Sequence, residues 1–245
     1  MKNKLKISII TVTKNSEKFL QESIDSLSNQ TYQNFEHIII DGASTDKTID
    51  IIKKNSFKIT KWISEPDNGL YYAMNKGINL CSGDIIGILN SDDTYFPEAL
   101  SIVNKYFVEN KIDFLFGSVF KHKLLHGYYP EKIKWTFGFY STHSIGFFIK
   151  KESQKKIGFY NIKYKYSADY DLFYRLVVNK KMNGMATKKN EIFGKFRSGG
   201  LSSRIKYIDF LNECTQIRLD NKQNIFIVYF IFFARLLRNF KKILI

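Results

Sequence analysis

A chain of 245 residues with 44% apolar content has enough material for one large domain or two small ones, and is neither disordered nor fibrous. Its formal charge of +15 calls for an anionic partner, so nucleic acid, anionic lipid and phosphorylated substrate are the classes to weigh. Two cysteines, Cys81 and Cys214, lie far apart with no thiol or His at ligand spacing, which indicates neither a disulfide framework nor a zinc site and fits a reducing cytoplasm.

The basic start Met1–Lys6 runs directly into the strand-like Ile7-Ser8-Ile9-Ile10, so no secretion signal is expected. Ile7 to Val12 reads as a buried strand. Ser16 then offers a cap to a helix with Phe19, Leu20, Ile24 and Leu27 at helical spacing. Phe35 to Ile40 is the next strand, Ser44-Thr45-Asp46 supplies capping oxygens for a helix with Ile49, Ile51 and Ile52, and Trp62-Ile63 falls in a short third strand. Tyr71 to Leu80 reads as helix, Ile85 opens another strand, Ala99 to Phe107 another helix, and Phe114 to Phe116 a further strand. Alternation of this kind predicts βαβ units and a doubly wound, mostly parallel sheet.

The strand at Ile85 ends in Asn90-Ser91-Asp92-Asp93. Adjacent acids repel each other, and ligands of open α/β sheets gather at the carboxyl ends of strands, so a hard divalent cation bridging to phosphate would account for the pair. The plainer reading is a polar turn in which Asp93 or Thr94 caps a helix that starts near Phe96-Pro97-Glu98. Thr11 to Asn15, Asp41 to Asp46 and Ser64 to Gly69 follow the first three strands and line the same sheet edge, although each alone is an ordinary turn. Neither a G-x-G-x-x-G nor a P-loop pattern is present.

Taken in order, Ser8–Asn15, Gln30–Glu36, Asp41–Asp46, Ala73-Met74-Asn75-Lys76-Gly77, Ser82-Gly83-Asp84 and Asn90–Asp93 resemble the family 2 glycosyltransferases. Thr142-His143-Ser144, Ser167–Leu172 and Ser198–Ser202 continue the resemblance, which spans about residues 6 to 203. It implies a GT-A fold: an α/β, mostly parallel sheet with a nucleotide-sugar half over about 1–118, an acceptor-binding half over about 119–220, and a C-terminal helical segment over 221–245. The implied reaction moves a sugar from a nucleotide diphosphate, a UDP-sugar first among them, to a saccharide or lipid-linked acceptor with inversion.

By the same resemblance, Thr11, Thr13, Asn15, Asp41, Ser44, Asp67, Asn75, Lys76, Ser91, Asp92 and Asp93 would surround the donor. Asp93, with Asp92 auxiliary, would hold Mg²⁺ or Mn²⁺. Asp169 falls at the catalytic base, and His143, Gly199, Gly200 and Asp171 would border sugar or acceptor, Asp171 also being open to a capping or supporting role. The chemistry asks for these groups independently: a cation for the departing diphosphate, and a carboxylate to take the acceptor proton on the opposite face. This sequence departs from the family at Gly42, where a second acid is frequent, at Lys14, where an aromatic is frequent, at Asn90, where the acid run often begins, and at Ala168, where Glu usually precedes the base.

A metal-dependent nucleotidyltransferase would use a similar acid pair, and a non-catalytic nucleotide-sugar binder would need no Asp169. A nucleic-acid module would explain the charge, but no RNP-like or helix-turn-helix pattern accompanies it, so nucleic acid is not expected as a partner. The C-terminal run Ile225–Ala234, followed by Arg235, Arg238, Lys241 and Lys242, is too short to span a bilayer. It reads as a helix on an anionic membrane surface, placing the protein in the cytoplasm at the inner face of the membrane, or as a helix docked on the protein's own core or on a second subunit in a homodimer.

Overall fold

A computed structural model describes residues 4–135, 140–197, 199 and 205–239. Strands β1 (Ile7–Thr13), β2 (Phe35–Asp41), β3 (Lys61–Ser64) and β4 (Ile85–Ile88) lie parallel, with β1 between β2 and β4. The sheet extends through β9 (Phe147–Lys150), β6 (Phe114–Phe116) and β10 (Gly184–Ala186), giving seven strands in the order β10-β6-β9-β4-β1-β2-β3. Only β9 runs against its neighbours, so the expected mostly parallel sheet is present.

Strand period two sends alternate residues of β1 to opposite layers. Ile10 and Val12 join a core with α3 (Leu70–Leu80) and α6 (Ala168–Tyr174), whereas Ile7 and Ile9 face α4 (Ala99–Glu109). Ile39 of β2 meets α1 (Leu20–Ser28) and α2 (Thr48–Lys54). Burial on both faces explains the nearly unbroken Ile runs of these strands. Helix α3 approaches so closely that a Cβ on Gly77 would stand 2.4 Å from Ile10 Cγ2, which fixes the helix over β1.

A second sheet, unexpected from sequence, joins β5 (Thr94–Tyr95), β11 (Ile192–Lys195), β7 (Ser118–Phe120) and β8 (Leu124–Leu125). It corrects the plainer reading of Thr94: the residue enters a strand, and α4 starts at Ala99 with no side-chain cap. Ser16 does not cap α1 either, its hydroxyl lying 2.9 Å from Ser91 Oγ. Asp46 does serve the start of α2, accepting from Thr48 N at 3.0 Å.

The expected boundary at 221 falls in a tight turn between α7 (Tyr207–Asp220) and α8 (Ile225–Arg238). Asn221 donates to Asp171 and Gln223 donates to the Lys134 carbonyl, so this turn is bound to the main body.

Candidate active site

The carboxyl ends of β1, β2 and β3 form one layer of hydrogen-bonded loops. Asp41, at the end of β2, is fully buried, and its carboxylate accepts from Ser44 N at 2.9 Å, Ser44 Oγ at 2.5 Å and Ser64 Oγ at 2.7 Å. Ser44 Oγ in turn accepts from Asn15 N, and Asn15 Oδ1 accepts from Thr45 N, with Asn15 in the left-handed region at φ 51°. Asp67 closes over Gly42, where a Cβ would meet its Oδ2 at 2.6 Å. The departure at Gly42 therefore makes room for a carboxylate from the third loop at the place where the family often carries its own second acid.

Some expected donor contacts go elsewhere. Thr11 Oγ1 is buried 2.9 Å from His37 Nε2, deep under the loops, and burial pushes that imidazole down to about 3, leaving it neutral. Asn75 is committed to the backbone of Tyr160, donating to its carbonyl at 2.8 Å and accepting from its N–H at 3.0 Å. Lys76 pairs with Glu65 at 2.6 Å. Thr13 Oγ1, two residues beyond Thr11 and so on the same strand face, is buried with no protein partner and remains open to a ligand.

Beyond β4 the acid pair is divided by depth. Asp93 is 1% exposed, whereas Asp92 is partly exposed. Burial, followed by repulsion from Asp92, pushes the Asp93 carboxyl up to about 7 against the opposing help of Arg197 N at 3.0 Å and Ser144 Oγ at 3.3 Å. Burial also raises Asp92. Nearby, Asn90 Oδ1 is buried without a partner. Two undercompensated carboxylates and an unpaired amide oxygen are hard oxygen donors, so the residues present fit a divalent cation. No group of three or more His, Cys, Asp or Glu side chains could hold a metal among the described residues. A cation here would draw the rest of its ligands from phosphate or water, as Mg²⁺ commonly does.

Asp169 lies at the start of α6, half-buried beneath aromatic rings. Tyr71 OH donates to its Oδ1 at 3.1 Å and Tyr140 OH to its Oδ2 at 2.9 Å. Burial first, then the charge of Asp169, pushes both phenols well above their usual value, so they stay protonated donors. His143 Nε2 lies 2.8 Å from Tyr160 OH, and burial lowers the imidazole despite the opposing pull of Asp169. Asp171 is two residues on, about 200° around the helix, and faces away. It is ion-paired to Arg175 at 2.8 Å and accepts from Asn221 at 2.9 Å, which gives it a structural use in place of the expected acceptor contact.

The segment Thr142-His143-Ser144 joins the two acidic centres. Ser144 holds Asp93, while neighbouring His143 belongs to the ring cluster around Asp169. Tyr71, Tyr140 and Arg197 also belong to the site, although no local pattern in the sequence marks them. Gly199 adopts φ +103°, a conformation that favours glycine, whereas Gly200 and most of the Ser198–Ser202 loop lie outside the described residues.

Residues 8–172 match the family described as Glycosyl transferase family 2, and the chain belongs to that family. It is 33% identical over 189 residues to an uncharacterised glycosyltransferase of Methanocaldococcus jannaschii, spanning 71% of this chain but only 65% of that one. It is 28% identical over 224 residues to a PGL/p-HBAD biosynthesis glycosyltransferase of Mycobacterium tuberculosis, spanning 84% of this chain and 82% of the relative. In structure it is similar to S. aureus TarS 1-349 in complex with UDP-GlcNAc, with a TM-score of 0.70 at 18% identity over 96% of this chain and 73% of that one. It is also similar to the mannosyltransferase PcManGT of Pyrobaculum calidifontis in complex with GDP-Man and Mn2+, with a TM-score of 0.68 at 14% identity over 89% of this chain and 64% of that one. The fold is thus of GT-A type.

Proposed function

We propose that the chain transfers a sugar from a nucleoside-diphosphate sugar, UDP-linked in the first instance, to a hydroxyl of a saccharide or lipid-linked acceptor, with inversion at the anomeric carbon. The observation that carries this reading is the pairing, through Thr142-His143-Ser144, of an undercompensated acid pair with a carboxylate held by two phenols. Family membership and the nucleotide-sugar complexes of TarS and PcManGT support it.

Asp92 and Asp93, with Asn90 beside them, would hold Mg²⁺ or Mn²⁺ against the diphosphate. When bound, the ion neutralises the charge that develops on the leaving group. Asp169 takes the proton of the attacking hydroxyl as the new C–O bond forms on one face of the sugar and the bond to the diphosphate breaks on the other. Tyr71 and Tyr140 each use one lone pair of Asp169 and set its orientation, leaving the remaining lone pairs for the acceptor. His143, neutral, braces Tyr160 and the rings beneath.

The test is a panel of UDP- and GDP-sugars with Mg²⁺ or Mn²⁺, scoring nucleoside diphosphate release and the anomeric configuration of any product. Release that is lost in Asp169→Asn supports the reading. Tight nucleotide-sugar binding with no turnover of any donor, and no change in Asp169→Asn, would favour a non-catalytic binder.

A further inference from the structure

Helix α8 has two faces. Val228 and Ile231 are buried on the face toward the protein. On the other, Phe226, Phe230, Phe233 and Leu237 are 82%, 70%, 55% and 75% exposed, and their spacing places them in one stripe along the helix. Tyr229 and Ile225 border it, also exposed. Isolated apolar residues on a surface are ordinary, but a contiguous aromatic stripe marks an interaction face.

The helix is fixed in place, so the stripe is presented rather than loosely hung. Asn224 caps its first turn, accepting from Phe226 N at 3.0 Å and Ile227 N at 3.3 Å. Gln223 accepts from Tyr174 OH and donates to the Lys134 carbonyl, and at the far end Asn239 donates to Tyr207 OH. Fourteen residues make a cylinder about 21 Å long. Among the described residues no helix is long and apolar enough to cross a membrane.

Charge decides the occupant. Residues 221–245 include Lys222, Arg235, Arg238, Lys241 and Lys242 and not one acid. Lys222 and Arg238 are exposed at opposite ends of α8. A two-fold pairing of stripes from two copies would bring these like charges together, on molecules that each carry +15. An anionic lipid surface instead complements them, with phosphates at the helix ends and acyl chains under the rings. We propose that α8 lies flat in the interface of an anionic bilayer, Phe226, Phe230, Phe233 and Leu237 facing the acyl boundary. This docking face is independent of the sugar-transfer reading, since none of these side chains belongs to the candidate site.

The test is co-sedimentation of the full chain with vesicles of phosphatidylcholine alone or mixed with phosphatidylglycerol, at low and high salt. The unaltered protein should partition onto the anionic vesicles and be weakened by salt. The double variant Phe230→Ser/Phe233→Ser, at exposed positions that should leave the circular dichroism spectrum unchanged, should bind at least about tenfold more weakly. Arg238→Gln should lose about fivefold on anionic vesicles only, the effect of one basic residue near such a surface. The proposal is overturned if the unaltered protein stays in the supernatant at low salt, or if the double variant partitions as before. It is equally overturned if light scattering without vesicles shows a dimer that the double variant dissociates, since a second copy would then cover the stripe.

Discussion

Glu36, near the start of β2, and Asp93, beyond the end of β4, are 3% and 1% exposed, yet burial has opposite outcomes at the two ends of the sheet. Glu36 receives Ser8 Oγ, Ser82 N and Ser82 Oγ, each at 2.6 Å, and Lys6 Nζ at 2.9 Å. Burial alone would raise it, but those donors outweigh burial and bring it down to about 2. Among the described residues Asp93 has only Arg197 N at 3.0 Å, Ser144 Oγ at 3.3 Å and help from the Asn90 side chain, no cation, and a second acid beside it, so burial and repulsion prevail. An acid saturated by its own fold is a fastening. An acid left short of compensation at the carboxyl ends of parallel strands is a place for a cationic or phosphate-bearing visitor to complete.

If chemistry is confined to that second end, the largest loss belongs to Asp169. Asp169→Asn should reduce kcat by about 10²- to 10⁴-fold with UDP affinity unchanged in a calorimetric titration, and a parallel collapse of binding would assign it to the donor site instead. Asp93→Ala should cost roughly 10²- to 10³-fold in turnover, the scale of losing electrostatic help for a leaving group. EDTA should do the same to the unaltered protein.

Glu36→Gln sharpens the contrast from the other end. It should lower unfolding free energy by about 1–3 kcal/mol at pH 7, because buried donors lose their ionised acceptor, while folded protein keeps its kcat. The folded value lies below the 4.5 of an ordinary glutamate, so the stabilisation is present above that pH and is lost as pH falls through about 2. A urea series from pH 7 to 2 should show this slope flattened in the variant. The smallest effect is Tyr140→Phe: about a tenfold loss in kcat/KM, because Asp169 loses one of the two hydroxyl donors that orient it. An unchanged kcat/KM would make Tyr140 mere packing.

Much of this was legible in sequence where the signal is local. The Ile runs of β1, β2 and β4, buried on both faces, announce themselves, as do Asp92-Asp93 after a strand and Asp169 at a helix start. The second sheet was not, because Thr94–Tyr95 and Leu124–Leu125 are too short for any period and are defined by distant partners such as Gly194. The same holds for Tyr71 and Tyr140, which lie 98 and 29 residues from Asp169 and look like core aromatics until folding brings their hydroxyls to it. Asn75 and Thr11 stood in suggestive stretches, but the fold uses their side chains to tie down Tyr160 and His37. Residue type marks what can bind; only the three-dimensional partner tells whether that capacity is already used.

Titrating Mn²⁺ into the UDP-saturated protein at pH 6 and pH 8 shows whether the acids beyond β4 await a cation. With Asp93 near 7 in the folded protein, ion binding must displace a proton at pH 6 and little at pH 8. Mn²⁺ should bind more tightly at pH 8 and release a proton at pH 6, and Asp93→Ala should lose both the affinity and the pH dependence. Equal Mn²⁺ affinity at the two pH values, undiminished in Asp93→Ala, would contradict a cation site at these acids.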